Sequence, residues 1–357
     1  MYTSVYSTCE FDPMPHRIII DGTSIEFEVE DNEPVLDAAL RNGVALPFDC
    51  QCGGCGTCRI QVLSGEVEYD LPPMALTQVE ADAGFALSCQ ALARSDLVVR
   101  VEGLSQQAAP AAVRVQTRIA ALERLCHDVL RVVLLPPPGQ QLSYTAGQYL
   151  DVLLPDGARR SFSFASAPDA GVLDLHVRRV PGGRFTEALF ASAKVGDVLQ
   201  VEGPYGSFGL REDGQRPLLL VAGGTGLAPI KSLLESIVAR GIDRPMRLYW
   251  GVRARRDLYL DDELRRLCAR LPTLGYVPVF SEPEAGDEGG RVGFVHEAVV
   301  ADMPDLSGYD AYLCGPPAMI AAAKSAFAAR GLPLERMFAD SFNFSHELDA
   351  PNLRRTA

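Results

Sequence analysis

Four cysteines have a spacing that can hold an iron–sulfur cluster. Cys50, Cys55 and Cys58 form C-x4-C-x2-C in the segment FDCQCGGCGTC, and Cys89 follows after thirty intervening residues. This is the plant-type [2Fe–2S] spacing. Two irons and two bridging sulfides need four converging thiolates, and the interspersed glycines let backbone N–H groups turn toward the sulfur atoms and offset their negative charge. The spacing therefore predicts that these four cysteines bind a [2Fe–2S] cluster.

The same segment suggests two other metal sites, and both fit less well. Cys52, Cys55 and Cys58 also satisfy C-x2-C-x2-C, the beginning of a bacterial [4Fe–4S] run. That run needs a fourth cysteine where this chain has Val62. Structural zinc usually binds closely spaced cysteine pairs, and the distant Cys89 departs from that pattern. We therefore expect Cys52 not to be a ligand.

Two further motifs are typical of a flavin nucleotide site when they occur together. The first is Arg160-Ser161-Phe162-Ser163, and the second is Pro181-Gly182-Gly183-Arg184-Phe185-Thr186. In the first, the arginine offers a bidentate cation to a phosphate, the phenylalanine a flat face to a ring system, and the final serine a hydroxyl to a ring nitrogen. In the second, the glycines free backbone N–H groups for a pyrophosphate at the start of a helix, and the threonine adds a hydroxyl. Each motif alone is more often a salt bridge or a plain turn.

A third glycine-rich segment follows an apolar, strand-like run. Leu218–Ala222 leads into Gly223-Gly224-Thr225-Gly226 and then a helical stretch, an arrangement that cradles phosphates. The segment lacks the G-K-[ST] of a Walker loop, which argues against ATP hydrolysis. Arg253 lies just past one strand-like run, and Cys314-Gly315-Pro316 ends another, where dinucleotides bind a parallel sheet. These residues predict a dinucleotide crevice with Cys314 facing the nucleotide, and the alternative is a tight strand–helix connection.

The charges near this crevice favour NADH over NADPH. Asp257 and Glu282 lie where an adenine ribose could be met, and no basic cluster follows Glu282. Carboxylates accept hydrogen bonds from a free ribose and repel a 2′-phosphate. Arg255 and Arg256 keep NADPH open as the alternative.

The elements that must position these motifs change character along the chain. Pro34–Asn42 reads as a short helix before the cysteines, short β-branched runs divided by Gly and Pro extend from Val113 to about Val201, and strands alternate with helix-like stretches from Pro217. We expect an α+β domain, a small antiparallel β-barrel for the flavin, and an α/β nucleotide domain with a parallel sheet. The expected boundaries are an N-terminal extension at 1–15, the first domain at 16–104, a linker at 105–112, the barrel at 113–215, the nucleotide domain at 216–345 and a tail at 346–357.

Composition excludes several classes of protein. Lys and Arg total 33 against 46 Asp and Glu, a formal charge of −13, which argues against a general binder of nucleic acid or anionic membranes. The chain has no run of 18 apolar residues, so the sequence predicts no membrane span. The N-terminus does not have the pattern of a secretory signal, and we therefore expect a cytoplasmic protein. In that compartment the nine cysteines indicate metal or redox use rather than disulfides.

With these motifs in this order, the chain resembles the iron–sulfur flavoprotein NADH reductases that serve bacterial multicomponent oxygenases. Examples are the reductase components of benzoate dioxygenase, phenol hydroxylase and soluble methane monooxygenase. The resemblance covers about residues 16–345 and rests on the cysteine set and on RSFS, PGGRFT, GGTGLAP and YLCGPP. It implies a plant-type ferredoxin domain of the β-grasp type, a ferredoxin–NADP reductase-like FAD barrel, and an NAD-binding domain.

The resemblance also implies roles for single residues. Ser163 would contact flavin N5, Cys314 would lie near the nicotinamide, and Phe342 would shield the other flavin face, so these three are the expected catalytic residues. Phe162 stands where the family usually has a tyrosine, which removes one hydroxyl contact. The residues expected to bind FAD or NADH are Arg160, Ser161, Phe162, Ser163, Val177, Gly182, Gly183, Thr186, Gly223, Gly224, Thr225, Gly226, Arg253, Cys314, Gly315 and Pro316.

The implied function is an electron-transfer reductase that takes a hydride from NADH onto FAD. It would then pass single electrons through the [2Fe–2S] cluster to a partner oxygenase component. Two alternatives stay open: a reductase that supplies a deoxysugar dehydrase, and a non-catalytic electron-carrier or redox-sensing module. We expect a monomer with no nucleic-acid or membrane partner, and FMN in place of FAD stays open.

Overall fold

The computed structural model describes residues 15–44, 46–48, 53–54, 56–101, 112–140, 142–211 and 214–342. Nearly all of the expected N-terminal extension and linker, and the whole expected tail, lie outside the described residues. So do Cys50, Cys52 and Cys55. The chain divides into two units, one made of Met1–Gly53 and Cys58–Leu104, the other of Gly54–Thr57 and Ser105–Ala357.

The first unit contains a five-stranded mixed sheet that packs on a short helix. The expected helix is present at α1, where Val35, Leu36, Ala38 and Ala39 are buried against the sheet. The strand order is β2-β1-β7-β3-β5, with β1 and β7 parallel and the other pairs antiparallel, and β4 pairs with β6 separately. The elements are β1 His16–Ile20, β2 Glu26–Val29, α1 Val35–Arg41, β3 Arg59–Ser64, β4 Val67–Glu68, α2 Gln78–Asp82, β5 Phe85–Leu87, β6 Leu92–Ala93 and β7 Leu97–Arg100.

The second unit begins with the expected antiparallel barrel. Its six strands follow the order β11-β10-β13-β8-β9-β12, and an antiparallel bridge between Phe164 and Leu175 links the two ends of that order and closes the sheet. Apolar side chains that alternate along the strands fill the interior, among them Val115, Leu150 and Val201. The elements are β8 Val113–Arg124, β9 Val129–Leu135, β10 Tyr149–Leu153, β11 Arg159–Ser163, β12 Leu173–Arg178, α3 Arg184–Ser192 and β13 Val198–Tyr205.

A parallel sheet with helical crossovers follows in the same unit. Its order is β17-β16-β15-β14-β18-β19, so the chain reverses direction across the sheet between β14 and β18. Ligands of such sheets bind outside the carboxyl ends of the strands at this reversal. The elements are β14 Leu218–Gly223, α4 Leu227–Ala239, β15 Met246–Val252, α5 Asp261–Arg270, β16 Leu274–Phe280, β17 Arg291–Val292, α6 Val295–Asp302, β18 Asp310–Gly315, α7 Pro317–Ala328 and β19 Met337–Ser341.

The first turns of α4 fasten this sheet to the barrel. Lys231 Nζ donates to the Ala165 carbonyl at 3.0 Å, and Ser232 Oγ donates to the Ser166 carbonyl at 2.6 Å. Glu235 accepts from the Ala167 backbone N–H at 2.9 Å. Because these bonds join buried backbone groups to one helix face, the carboxyl edge of the parallel sheet is held against the barrel. In the part of the chain that the structure describes, no helix is long and apolar enough to cross a membrane.

Candidate functional site

The two described cysteines of the expected cluster set are joined through one residue. Ser88 donates to the Cys58 carbonyl twice, from its backbone N–H at 2.9 Å and from its hydroxyl at 3.0 Å. Ser88 precedes Cys89, and both cysteines are nearly fully buried. Burial raises the pKa of Tyr69 to about 12, and the charges of the Cys58 and Cys89 thiolates add to that rise. The Tyr69 hydroxyl accepts from the Leu87 backbone N–H at 2.9 Å, one residue before Ser88.

The glycine turn of the cysteine loop fits a closely packed metal centre. Gly53 has a φ of +71°, a left-handed conformation that glycine adopts without strain. A Cβ atom at this position would lie 2.2 Å from Gln90 Oε1 and 2.9 Å from Pro73 Cβ. Glycine therefore lets the cysteine loop pack closely against Gln90, which follows Cys89, and against Pro73.

The two flavin motifs are brought together by the barrel. The ring centroids of Phe162 on β11 and Phe185 on α3 lie 5.7 Å apart. Gly182 has a φ of +78°, and α3 begins after Gly183 without a side-chain cap, so the turn places the N-terminus of a helix next to the flavin motif. Thr186 Oγ1 accepts from the Val180 backbone N–H at 3.0 Å and so holds this turn. The structure therefore gives the Thr186 hydroxyl an internal partner besides any cofactor.

On β11 the neighbouring polar side chains have different partners. The Ser161 hydroxyl donates to Asp151 Oδ1 at 2.6 Å on the adjacent strand, which is a structural contact. Arg160 Nη1 donates to the Arg159 carbonyl at 2.8 Å. Arg160 and Phe162 alternate with the two serines, so they share one face of the strand. A phosphate and a ring system can therefore be met from the same side.

Glycines let the turn after β14 pack closely against the end of β18 and the start of α7, at the point where the sheet order reverses. A Cβ atom at Gly226 would lie 2.2 Å from the Cys314 carbonyl oxygen, and one at Gly223 would lie 2.5 Å from Met319 Sδ. Trp250 Nε1 donates to the Gly224 carbonyl at 2.9 Å and fixes the turn from the side of β15. The turn from Gly223 to Gly226 is thus pinned at the carboxyl edge where a dinucleotide pyrophosphate would bind.

The three expected catalytic residues meet at this edge. Asp340 on β19 pairs in register with Cys314 on β18, and the Ser163 hydroxyl donates to Asp340 Oδ2 at 3.4 Å. The Phe342 backbone N–H donates to the Gly315 carbonyl at 2.9 Å, which places Phe342 beside the same strand end. Burial, together with the Asp340 carboxylate, holds the pKa of the Cys314 thiol above its usual range, so this thiol stays protonated.

Sequence reasoning missed Asp340. It lies two residues before Phe342, and strand alternation therefore directs both side chains to the same face of β19. That spacing is the one signal the sequence carries for it.

Arg178 is the second residue that sequence reasoning missed. A Cβ atom at Gly224 would lie 2.8 Å from Arg178 Nη1, so the guanidinium rests against the glycine turn. Asp128 Oδ2 lies 3.3 Å from Arg178 Nε and 3.4 Å from Arg253 Nη2. Asp128 therefore lies between two cations, Arg178 from the barrel, which rests against the turn, and Arg253 just past the end of β15.

The residues considered for the adenine ribose separate into two groups. Asp257 is buried, and its Oδ2 accepts from the Ala254 backbone N–H at 3.1 Å, which is a local cap. Glu282 is exposed. Arg256 pairs with Glu284 at 2.7 Å, and Arg255 donates to Asp287 Oδ2 through its backbone N–H at 3.0 Å. Acidic groups thus surround the two arginines that could read a 2′-phosphate.

Three family models match the chain in succession. A 2Fe-2S iron-sulfur cluster binding domain matches residues 18–94, an oxidoreductase FAD-binding domain residues 116–209, and an oxidoreductase NAD-binding domain residues 220–325. These matches confirm the three predicted cofactors, the predicted fold class and the predicted class of oxidoreductase.

Relatives of known role match over nearly their whole length. A CDP-6-deoxy-L-threo-D-glycero-4-hexulose-3-dehydrase reductase of Yersinia pestis is 36% identical, over 92% of this chain and 99% of its own. The xylene/toluene monooxygenase electron transfer component of Pseudomonas putida is 36% identical, over 93% of this chain and 95% of its own. The crystal structure of the Amycolatopsis cytochrome P450 reductase GcoB aligns with a TM-score of 0.69 at 36% identity, over 92% of this chain and 98% of its own. The chain therefore belongs to the iron–sulfur flavoprotein reductases, which join a [2Fe–2S] domain, an FAD-binding domain and an NAD-binding domain in one polypeptide and pass electrons to a separate protein.

Proposed function

We propose that this chain is the NADH-dependent reductase component of a multicomponent oxygenase. The observation that carries the proposal is the meeting of Ser163, Asp340 and Cys314, which brings the flavin barrel and the nucleotide sheet to one edge. When bound, NADH supplies an electron pair, FAD accepts pairs and releases single electrons, and the [2Fe–2S] cluster carries single electrons. The remaining work falls to the protein, which must bind, orient and shield these groups.

The barrel provides the residues that would bind the flavin. Arg160 and the uncapped N-terminus of α3 offer positive charge to its phosphates, and Phe162 with Phe185 forms an aromatic wall. Ser163 holds its hydroxyl proton toward Asp340 Oδ2 at 3.4 Å. This contact orients the Ser163 hydroxyl at the edge where barrel and sheet meet.

The parallel sheet provides most of the residues that would bind the nucleotide. The Gly223–Gly226 turn would present backbone N–H groups to the pyrophosphate, and Arg178, against the turn, and Arg253, past the end of β15, would offset its charge. The buried, protonated Cys314 gives this edge an uncharged wall, which favours an uncharged ring over an ion.

The acidic loop after β16 supports NADH as the nucleotide. Glu284 and Asp287 engage Arg256 and Arg255, and Glu282 is exposed beside them. A 2′-phosphate that paired with Arg256 would have to displace Glu284, and the neighbouring carboxylates would repel it. We therefore expect a lower KM for NADH than for NADPH. Glu284→Ala should reduce the ratio of these two KM values.

The proposed cluster ligands are Cys50, Cys55, Cys58 and Cys89. The hydrogen bonds from Ser88 to Cys58 support the pairing of the two described members. The spacing of the other two supports their membership.

An anaerobic NADH titration tests the proposal. We expect both the flavin and the iron–sulfur absorption to bleach, and a cluster-free preparation to show only the flavin change. Flavin that stays oxidised with excess NADH would contradict the proposal.

A deoxysugar dehydrase is the second candidate acceptor, because the Yersinia pestis dehydrase reductase is as similar as the xylene/toluene monooxygenase component. Supplying the purified chain to each of these two systems in place of its own reductase separates the candidates. Faster product formation with the monooxygenase supports the oxygenase role, and faster formation with the dehydrase supports the alternative.

A further inference from the structure

We propose that the loop containing Leu71, Pro72 and Met74, here the 71–74 patch, is the surface on which the electron-accepting protein docks. The partner that fits it has an apolar spot surrounded by lysine and arginine. This inference rests on the proposed function, since it assumes that electrons leave through the [2Fe–2S] domain. It adds which surface of that domain the acceptor uses.

The patch exposes large apolar side chains where burial would be favourable. Leu71 is 76% exposed and Met74 is 64% exposed, and Pro72 between them is also exposed. Single exposed apolar residues are common on protein surfaces, whereas neighbouring ones mark contact sites. Leucine and methionine in particular adapt to the surface of a partner without a charge to desolvate.

The patch lies directly on the cysteine loop. The Ala75 backbone N–H donates to the Gly53 carbonyl at 2.9 Å, and a Cβ atom at Gly53 would touch Pro73 at 2.9 Å. Ala75 also belongs to the same buried cluster as Cys58 and Cys89. A protein that covers the patch therefore lies next to the segment that carries the expected cluster ligands.

The patch is held rigidly, which lowers the entropy cost of docking. Pro72 and Pro73 restrict the backbone within it. Immediately after it, the Thr77 side chain caps α2 by accepting from the Glu80 backbone N–H. The Glu80 side chain accepts from the Thr77 backbone N–H, which completes a capping box. Glu80 is buried and paired with Arg59 at 2.8 Å, so this anchor does not loosen in solvent.

Acidic residues lead into the patch along and beyond β4. Glu66, Glu68 and Asp70 are exposed at alternating positions, which places their side chains on one face of the segment. Glu68 keeps 64% of its side chain exposed even while it pairs with Arg94. This row of carboxylates predicts a basic rim on the partner and an association rate that falls as salt rises.

The size of the patch favours a transient occupant. Three apolar residues with a charged edge are typical of redox encounters, which bury little area and separate quickly, whereas permanent subunits bury broad apolar faces. An electron acceptor that must leave after each transfer matches this chemistry better than a second copy of the chain.

The test compares a protein acceptor with a small one. Cytochrome c is a basic one-electron acceptor protein, and ferricyanide is a small acceptor that needs no docking surface. We expect the double variant Leu71→Ser/Met74→Ser to lower kcat/KM for cytochrome c about tenfold, as for the loss of a central apolar contact. Its iron content, its bleaching by NADH and its ferricyanide rate should be unchanged.

The control variant is Val292→Ser, which removes a 69%-exposed apolar side chain from β17 in the other unit. It should leave both acceptors unaffected. Glu66→Gln/Asp70→Asn should reduce the salt dependence of the cytochrome c rate while leaving the ferricyanide rate as it was.

Several outcomes would overturn the inference without touching the proposed function. One is an unchanged cytochrome c rate in the double variant, or an equal fall in Val292→Ser. Another is a wild-type dimer that the double variant converts to monomer, which would make the patch a self-interface. If the double variant lost iron, the single variants Leu71→Gln and Met74→Gln would replace it under the same criteria. Failure of NADH to bleach the wild-type protein would instead refute the proposed function.

Discussion

The cysteine loop and the nucleotide crevice are assembled in different ways. In the first, Cys58 and Cys89, the two described members of the proposed ligand set, are joined by hydrogen bonds from Ser88 to the Cys58 carbonyl. The proposed cluster would take covalent bonds from the cysteine side chains. In the second, Ser163, Cys314 and Asp340 come from three strands of two domains, and glycine backbone supplies much of the surface. Loss of one ligand should therefore abolish the first site, whereas loss of one contact should weaken the second by degrees.

The largest effect is expected from Cys89→Ser. A [2Fe–2S] cluster needs four thiolates and Cys89 is a proposed ligand, so this change should remove most of the iron and lower electron transfer to cytochrome c by more than about 100-fold. The NADH-to-ferricyanide rate, which needs only flavin and nucleotide, should persist. Iron analysis and the two rates measure this difference.

Two other cysteines provide the controls for that experiment. Cys52→Ser should keep the iron–sulfur absorption, because Cys52 is expected not to be a ligand. Cys268→Ser, on α5 in the other unit, should also keep it. A colourless Cys52 variant would show that the ligand assignment is wrong.

The next effect is expected from Gly226→Ala in the crevice. The added Cβ would lie 2.2 Å from the Cys314 carbonyl oxygen, so the backbone of β18 or of the turn must move. Overpacking of this kind costs about 1–3 kcal/mol, and we expect the flavin-release temperature to fall by roughly 5–10 °C. Gly308→Ala is the matched control, since a Cβ there meets nothing within 4 Å and the backbone is not left-handed. If Gly226→Ala and Gly308→Ala released flavin at the same temperature, the contact between the glycine turn and β18 would not be tight.

The different ways of assembly explain what the sequence could predict. The cysteine spacing predicts its chemistry because all four ligands must meet one small centre, and the glycine turn is recognisable because it follows its strand directly. Asp340 and Arg178 gave no such signal. Their roles depend on the register that places Asp340 opposite Cys314 and on the packing that places Arg178 against Gly224, and neither contact is local in sequence. The helix α1, the barrel and the parallel sheet were predictable because hydrophobic periodicity is local.

A graded effect is expected from Arg178→Gln. The guanidinium rests on the glycine turn, so its loss should raise the KM for NADH about tenfold, the usual worth of a charged hydrogen bond, with little change in kcat. The dissociation constant of ADP-ribose, measured by calorimetry on the flavin-loaded protein, should rise by the same factor.

The adjacent Arg179 makes the control for this change. It is 49% exposed and pairs with Glu187 at 2.6 Å, away from the turn, so Arg179→Gln should leave nucleotide binding as it is. Equal KM values for the two variants would remove Arg178 from the site.

The smallest effect concerns His176, which is buried on β12 with Tyr259 Oη at 3.3 Å from its Nδ1. Burial, with nearby Lys231 and Arg131, lowers the pKa of His176 to about 3. In the unfolded chain this pKa is about 6.5, so between these values only the unfolded chain takes up the proton, and stability falls as pH falls. Lowering the pH from 7 to 5 should reduce the free energy of unfolding by about 2 kcal/mol through this one group, because pH 5 lies 1.5 units below the pKa of the unfolded chain. Between pH 7 and pH 5 the flavin-release temperature of His176→Gln should therefore fall less than that of the wild type. Because His176 belongs to the barrel, the temperature at which the iron–sulfur absorption disappears should not distinguish the variants; a shift there would show that the two sites do not respond separately.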